Sequence, residues 1–160
     1  MTLDVSSSPL PRPLRLEFDI ALSFAGENRM IVEQYAKLLK QRGLTVFLDS
    51  DYAVDMWGTD LYATLDHIYR NQALFCVMFL SQAYAKKRWT SHERKSAQAR
   101  AFIENREYIL PVRVDDTDIP GIRETVGYVD LREISLEDLA DLTVKKVKKV
   151  KERIRLSDAT

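Results

Sequence analysis

Ala73-Leu74-Phe75-Cys76-Val77-Met78-Phe79-Leu80 is apolar at every one of its eight positions. That length suits a strand and falls far below the roughly 20 residues needed to span a bilayer. A strand apolar on both faces must be covered on both faces. This is the condition of a central strand in a parallel sheet layered between helices, whereas a sheet with one wet face alternates. The run therefore points to an α/β architecture before any other segment is read.

The rest of the chain alternates in the same sense. Phe18–Phe24 reads as a first strand, and Asn28–Arg42 as a helix with Ile31, Tyr35, Leu38 and Leu39 on one stripe. Gly43 stands where a helix C-cap belongs. Leu44–Leu48 is a second strand, followed by Asp49-Ser50-Asp51 and a loop through Trp57-Gly58. A second helix carries Leu61, Leu65, Ile68 and Tyr69 on its stripe. After Ala73–Leu80, Ser81 to about Arg106 is polar and helix-compatible. Tyr108–Val114 is a fourth strand, and its Pro111 argues for a place near a sheet edge or a bulge. Tyr128–Leu131 is a short fifth strand, and a last helix runs from Ser135 with Leu136, Leu139, Val147, Val150 and Ile154 inward. Strict alternation predicts a doubly wound sheet of about five parallel strands with helices on both faces. Ligands in such sheets bind beyond the carboxyl ends of the strands. Chemistry is therefore sought at Ser23–Asn28, Asp49–Gly58, Ser81–Glu93 and Asp115–Gly121.

Composition limits the function classes. The 160 residues suit one domain. Lys+Arg and Asp+Glu both number 24, so net charge gives no reason to expect nucleic acid or a membrane surface. The basic run Lys145–Lys151 fits the solvated face of the last helix, with Val147, Val150 and Ile154 beneath. Cys76 is the single cysteine, which rules out an internal disulfide and suits a reducing compartment. No secretory signal is expected at the N-terminus, and the chain reads as cytoplasmic. The proline-punctuated stretch 1–16 reads as a flexible tail, 17–156 as the domain, and 157–160 as a C-terminal tail.

Several chemistries available to this architecture lack their residues. Neither G-x-G-x-x-G nor G-x-x-x-x-G-K-[ST] occurs. The third strand ends in Leu80-Ser81, not the aspartate a phosphoacceptor domain needs. His92-Glu93-Arg94-Lys95-Ser96 begins like a zinc helix but has Ser96 where the second histidine belongs. A nucleophile elbow G-x-S-x-G is missing as well.

Two boxes remain. Phe18-Asp19-Ile20-Ala21-Leu22-Ser23-Phe24-Ala25-Gly26-Glu27 resembles the first-strand box of the Toll/interleukin-1 receptor (TIR) domain family, as in its plant and bacterial members. Ser81-x-x-Tyr84 followed by Trp89-x-x-x-Glu93 resembles its central box. The resemblance covers roughly Phe18 to Leu131; one departure is Thr90, where the family often has cysteine. The resemblance implies a flavodoxin-like fold. Enzymatic members of the family cleave NAD+ to nicotinamide and ADP-ribose or a cyclic isomer, and other members are adaptors that pair with further TIR domains. It further implies NAD+ as substrate with no separate cofactor or metal, homotypic self-association, and an upstream sensor domain or protein in defence signalling.

Cleavage of the nicotinamide–ribose bond develops positive charge on the sugar while nicotinamide leaves as a neutral base. One carboxylate that stabilises that charge, holds the ribose hydroxyls or attacks the sugar can then suffice. The resemblance assigns that part to Glu93. Local spacing alone offers a rival, because Thr90-Ser91-His92-Glu93 fits a helix capping box. Trp89, four residues earlier, can pack on nicotinamide, shape the pocket or serve the core. Ser23, Phe24, Ala25 and Gly26 end the first strand where a nucleotide would lie; small residues permit close approach, and Gly26 can alternatively supply positive φ. Asp49 can take ribose hydroxyls or cap a helix. Trp57 can be a ligand lid, a self-association contact or a loop anchor. Tyr84 reads as structural packing, Cys76 as core. A non-enzymatic interaction domain, and another N-glycoside enzyme such as a nucleoside deoxyribosyltransferase, are the competing readings.

Overall fold

A computed structural model describes residues 17–48, 58, 72–88, 109–118 and 127–159. Five parallel strands are found among them: β1 (Phe18–Ser23), β2 (Val46–Phe47), β3 (Ala73–Leu80), β4 (Ile109–Arg113) and β5 (Val129–Asp130). They form one sheet in the order β2-β1-β3-β4-β5. This is the doubly wound flavodoxin-like order, with its switch point between β1 and β3. A 3-10 turn (Gly26–Asn28) leads into α1 (Arg29–Gln41); α2 (Gln82–Arg88) follows β3, and α3 (Leu136–Ala159) closes the chain.

β3 occupies the centre, as its uniform apolarity requires. It pairs with β1 from Phe18↔Ala73 to Ser23↔Met78, and with β4 from Cys76↔Ile109 to Leu80↔Arg113. Phe75, Val77 and Phe79 join Ile20, Leu22 and Val112 in a core shared with α1 and α3. Cys76, Met78 and Leu80 join Ala21, Ala25 and Tyr84 in a second cluster on the α2 side. Each fully buried Phe, Leu or Val contributes about 1.5–3 kcal/mol, so this two-sided burial dominates the stability of the sheet. Cys76 forms no disulfide and is fully buried, a core residue as its apolar neighbours indicate.

The structure adjusts several expected boundaries. β1 stops at Ser23, because Ala25 accepts from Asn28 N–H at 2.9 Å and starts the 3-10 turn. The buried stripe of α1 is Val32, Tyr35, Ala36 and Leu39, with Ile31 and Leu38 only at its borders. α1 ends in a Schellman motif: Gly43 N–H donates to Lys40 O at 3.0 Å and Leu44 N–H to Leu39 O at 3.1 Å, with Gly43 at φ 89°. That motif consumes Leu44, which shortens the expected strand Leu44–Leu48 to Val46–Phe47. Pro111 lies one strand in from the edge. Leu131 N–H donates to Arg113 O, so by alternation Pro111 faces β5, whose pairing begins only at Val112↔Val129. Its missing N–H thus falls outside the ladder. The expected helix Leu61–Tyr69 lies outside the described residues.

α3 begins at Ser135, whose Oγ accepts from Asp138 N–H at 3.0 Å in an N-cap. Its lysines 145, 146, 148, 149 and 151 are exposed and Val147 is buried, as a solvated face demands. One expectation fails here: Ile154 is 38% exposed and not inward, while the helix runs on to Ala159. From Lys151 onward α3 has left the sheet behind, so every residue with described burial there is exposed. Lys151 itself reaches back to β1, with Nζ 2.8 Å from Asp19 Oδ1. Asp19 Oδ2 in turn accepts from Thr45 N–H at 2.9 Å, which ties α3, β1 and the β2 entry together. Between α1 and α3, Thr143 donates to Leu139 O at 2.7 Å, so Tyr35 is the donor in the 2.6 Å Tyr35–Thr143 contact. Burial pushes the Tyr35 phenol far above its ordinary pKa, a shift the Thr143 bond only partly offsets.

Candidate functional site

The sheet order places the carboxyl ends of β1 and β3 side by side at the switch point, the position at which sheets of this type form their ligand crevice. Ser23-Phe24-Ala25-Gly26 leaves β1 there and Ser81 leaves β3. The expected nucleotide segment is therefore where the fold opens. Its four residues nonetheless differ in what they expose. Ser23 is 1% exposed and its Oγ lies 2.8 Å from Tyr84 OH, so its side chain is committed to the scaffold. Ala25 is buried in the α2-side cluster. Phe24 is half-buried, with the Arg29 guanidinium 4.9 Å above its ring. Gly26 is exposed, and a Cβ added there meets nothing within 4 Å. Its φ lies outside the left-handed region, which removes the positive-φ explanation for a glycine at this position.

Across the crevice, Ser81 is the N-cap of α2. Its Oγ accepts from Tyr84 N–H at 3.0 Å and its carbonyl from Ala85 N–H at 2.9 Å. Asp115, just past β4, receives Gln82 N–H at 3.0 Å on Oδ2 and Thr117 N–H at 2.9 Å on Oδ1. Burial raises the Asp115 pKa, but the bonds from Thr117 and Gln82 and the Arg132 charge outweigh it, and the net shift is downward. Asp115 is thus an anion fastening β4 to α2. The N–H groups of Gln82, Tyr84 and Ala85 are all taken, so this short helix start is closed by the chain itself. Arg113 donates to Thr117 O at 3.1 Å and to Asp118 at 3.0 Å, and stacks 4.7 Å from the Tyr128 ring. Ser81 Oγ donates to Asn28 Oδ1 at 2.8 Å, which joins the two rims of the crevice.

The structure therefore brings together Ser23, Tyr84 and Ser81 from the two boxes, with the boxes facing each other across one crevice. Asn28 and Asp115 fall within the strand-end segments where chemistry is sought but have no role of their own there; their signal is only a side-chain amide at a helix entry and an Asp after a strand, both common. Asp49, Trp57, Trp89 and Glu93 lie outside the described residues, as do His67 and His92. Among the described residues no group of three or more His, Cys, Asp or Glu could hold a metal ion, and no helix is long and apolar enough to cross a membrane.

Comparison with known proteins gives the same family as the boxes. Over 133 residues the chain is 54% identical to a 3′ cyclic ADP-D-ribose synthase, AaTIR, of Aquimarina amphilecti, covering 83% of this chain and 41% of that protein. The chain thus spans well under half the length of this curated relative. Residues 20–143 match the TIR domain family, from within β1 to the middle of α3. With that span running from Ile20 of the first box through the central box and across all five strands, this chain belongs to the TIR domain family.

Proposed function

We propose that this domain cleaves the nicotinamide–ribose bond of NAD+ and that Glu93 is its catalytic carboxylate. The observation that carries the reading is the switch point between β1 and β3, where Phe24–Gly26 leaves one strand and α2 follows the other, the place where sheets of this order bind ligands. The chain runs from α2 directly into Trp89 and, four residues on, Glu93. Similarity to a cyclic ADP-ribose synthase supports the same chemistry. The C1′–N bond breaks, nicotinamide leaves with the bonding electron pair, and Glu93 stabilises the oxocarbenium-like sugar. Water then attacks to give ADP-ribose, or a hydroxyl of the same ADP-ribosyl moiety attacks to give a cyclic isomer. In either case the attacking oxygen loses its proton, to Glu93 or to solvent. The relative favours the cyclic outcome. Phe24, Gly26, Asp49, Trp57 and Trp89 line the nucleotide's path in this reading. NAD+ is substrate, and the reaction uses no further cofactor. Self-association with other TIR domains activates the site in cytoplasmic defence signalling.

The test is chromatography with mass detection of NAD+ incubated with wild type, Glu93→Gln and Glu93→Ala. Nicotinamide release with a cyclic ADP-ribose isomer is expected from wild type, and a loss of at least about 100-fold from either variant. Undiminished turnover in Glu93→Gln would remove Glu93 from the mechanism. Cleavage of deoxynucleosides in preference to NAD+ would replace the substrate.

A further inference from the structure

Asn28 occupies the N-cap position of α1, yet its side chain makes no cap hydrogen bond. Its backbone, at φ −100° and ψ 10°, continues the 3-10 turn Gly26–Asn28 and lacks the extended conformation of a capping residue, which leaves the side chain available for another partner. Here the amide is turned to the other rim of the crevice. Ser81 Oγ, already accepting from Tyr84 N–H, places its own proton on Asn28 Oδ1 at 2.8 Å. Asn28 N–H meanwhile donates to Ala25 O at 2.9 Å, and Tyr84 OH meets Ser23 Oγ at 2.8 Å. These bonds close a ring through Ala25, Asn28, Ser81, Tyr84 and Ser23. Backbone pairing between β1 and β3 ends at Ser23↔Met78. Beyond that register the ring sets the spacing of the two rims.

We infer that the Asn28–Ser81 bond is a positioning latch for NAD+ cleavage. The inference rests on the NAD+-cleaving reading above. One rim is the Phe24–Gly26 segment; the other is the start of α2, which leads to Trp89 and Glu93. A dinucleotide held by the first, with its developing sugar cation stabilised from the second, feels their relative placement mainly in the barrier to bond cleavage. The latch itself is made of Asn28 Oδ1 and the Ser81 proton, which are spent on each other. The bond joins two segments 53 positions apart.

The test is steady-state NAD+ kinetics on the full chain, with kcat expressed per folded protein from circular dichroism. The proteins are wild type, Asn28→Ala, Asn28→Asp, Ser81→Ala and the Asn28→Ala/Ser81→Ala double variant. Asn28→Ala is expected to lower kcat about tenfold with KM within about twofold, and Asn28→Asp, which keeps the acceptor oxygen, to restore most of it. The double variant should be no slower than Ser81→Ala, since each single breaks the Asn28–Ser81 bond and only Ser81→Ala also removes the α2 cap. A kcat for Asn28→Ala within about twofold of wild type overturns the latch. So does an Asn28→Asp protein as slow as Asn28→Ala, or losses that multiply in the double variant. A wild type that releases no nicotinamide overturns instead the NAD+-cleaving reading, and the latch with it.

Discussion

Tyr84 and Ser23, 61 positions apart, meet hydroxyl to hydroxyl at 2.8 Å in a buried layer between α2 and β1. The contact couples the two family boxes directly, and it assigns Ser23 to the scaffold side of the crevice. Tyr84→Phe strands the Ser23 hydroxyl in the core and should cost about 1–2 kcal/mol in urea unfolding. Adding Ser23→Ala removes the orphaned group, so the double variant should cost less than the sum of the singles. Additive losses would show that the two hydroxyls do not depend on each other.

Asp19 is the hinge of a second long-range tie, and its two partners should weigh differently. Asp19→Ala removes the acceptor of Thr45 N–H and the anion facing Lys151, and should destabilise by about 2–3 kcal/mol. Lys151 is more than half exposed, so Lys151→Met should cost about 1 kcal/mol or less. Raised salt should shrink most of the Lys151→Met effect but only the ion-pair share of the Asp19→Ala effect. Denaturant midpoints at low and high salt check the ranking.

Acid should reveal the carboxylates at the ends of β4 and β5. Side-chain and backbone bonds from Arg132 hold the Asp130 pKa down to about 2, against an ordinary 3.8. Asp115 is held below 3.8 as well. A depressed folded pKa contributes stability that is present above the unfolded value and lost as pH falls through the folded one. Stability should therefore decline from near pH 4 towards pH 2, and Asp130→Asn should flatten part of that decline. The check is the urea midpoint as a function of pH for both proteins.

Two glycines should behave oppositely. Gly43 holds φ 89° in the α1 Schellman motif, so Gly43→Ala should cost about 1 kcal/mol or more. Gly26 has ordinary φ and open space at its Cβ, so Gly26→Ala should change stability by less than about 0.5 kcal/mol. Any loss of NAD+ turnover in Gly26→Ala then reports on ligand approach to the crevice. Thermal melts beside the NAD+ assay separate the two effects.

The sequence by itself determined the architecture. Eight uniformly apolar residues require cover on both faces, and β3 is the central strand with the same limits, Ala73–Leu80. Gly43 announced the end of α1, and Ser135 the start of α3. The boxes located the crevice, because the end of a parallel strand is where this fold leaves space. Local pattern was weaker wherever a residue's partner lies far along the chain. Leu44 and Thr45 look like strand, but one completes the α1 cap and the other serves Asp19. Ile154 keeps the helix period but has no sheet left beneath it. Ser23 and Asn28 have the same chemistry whether they face ligand, cap a helix or bind another side chain. Only the tertiary structure chose, by setting Tyr84 against Ser23 and Ser81 against Asn28. A hydrogen bond needs its partner within about 3 Å, and sequence spacing carries no such distance between segments that meet only after the sheet has formed.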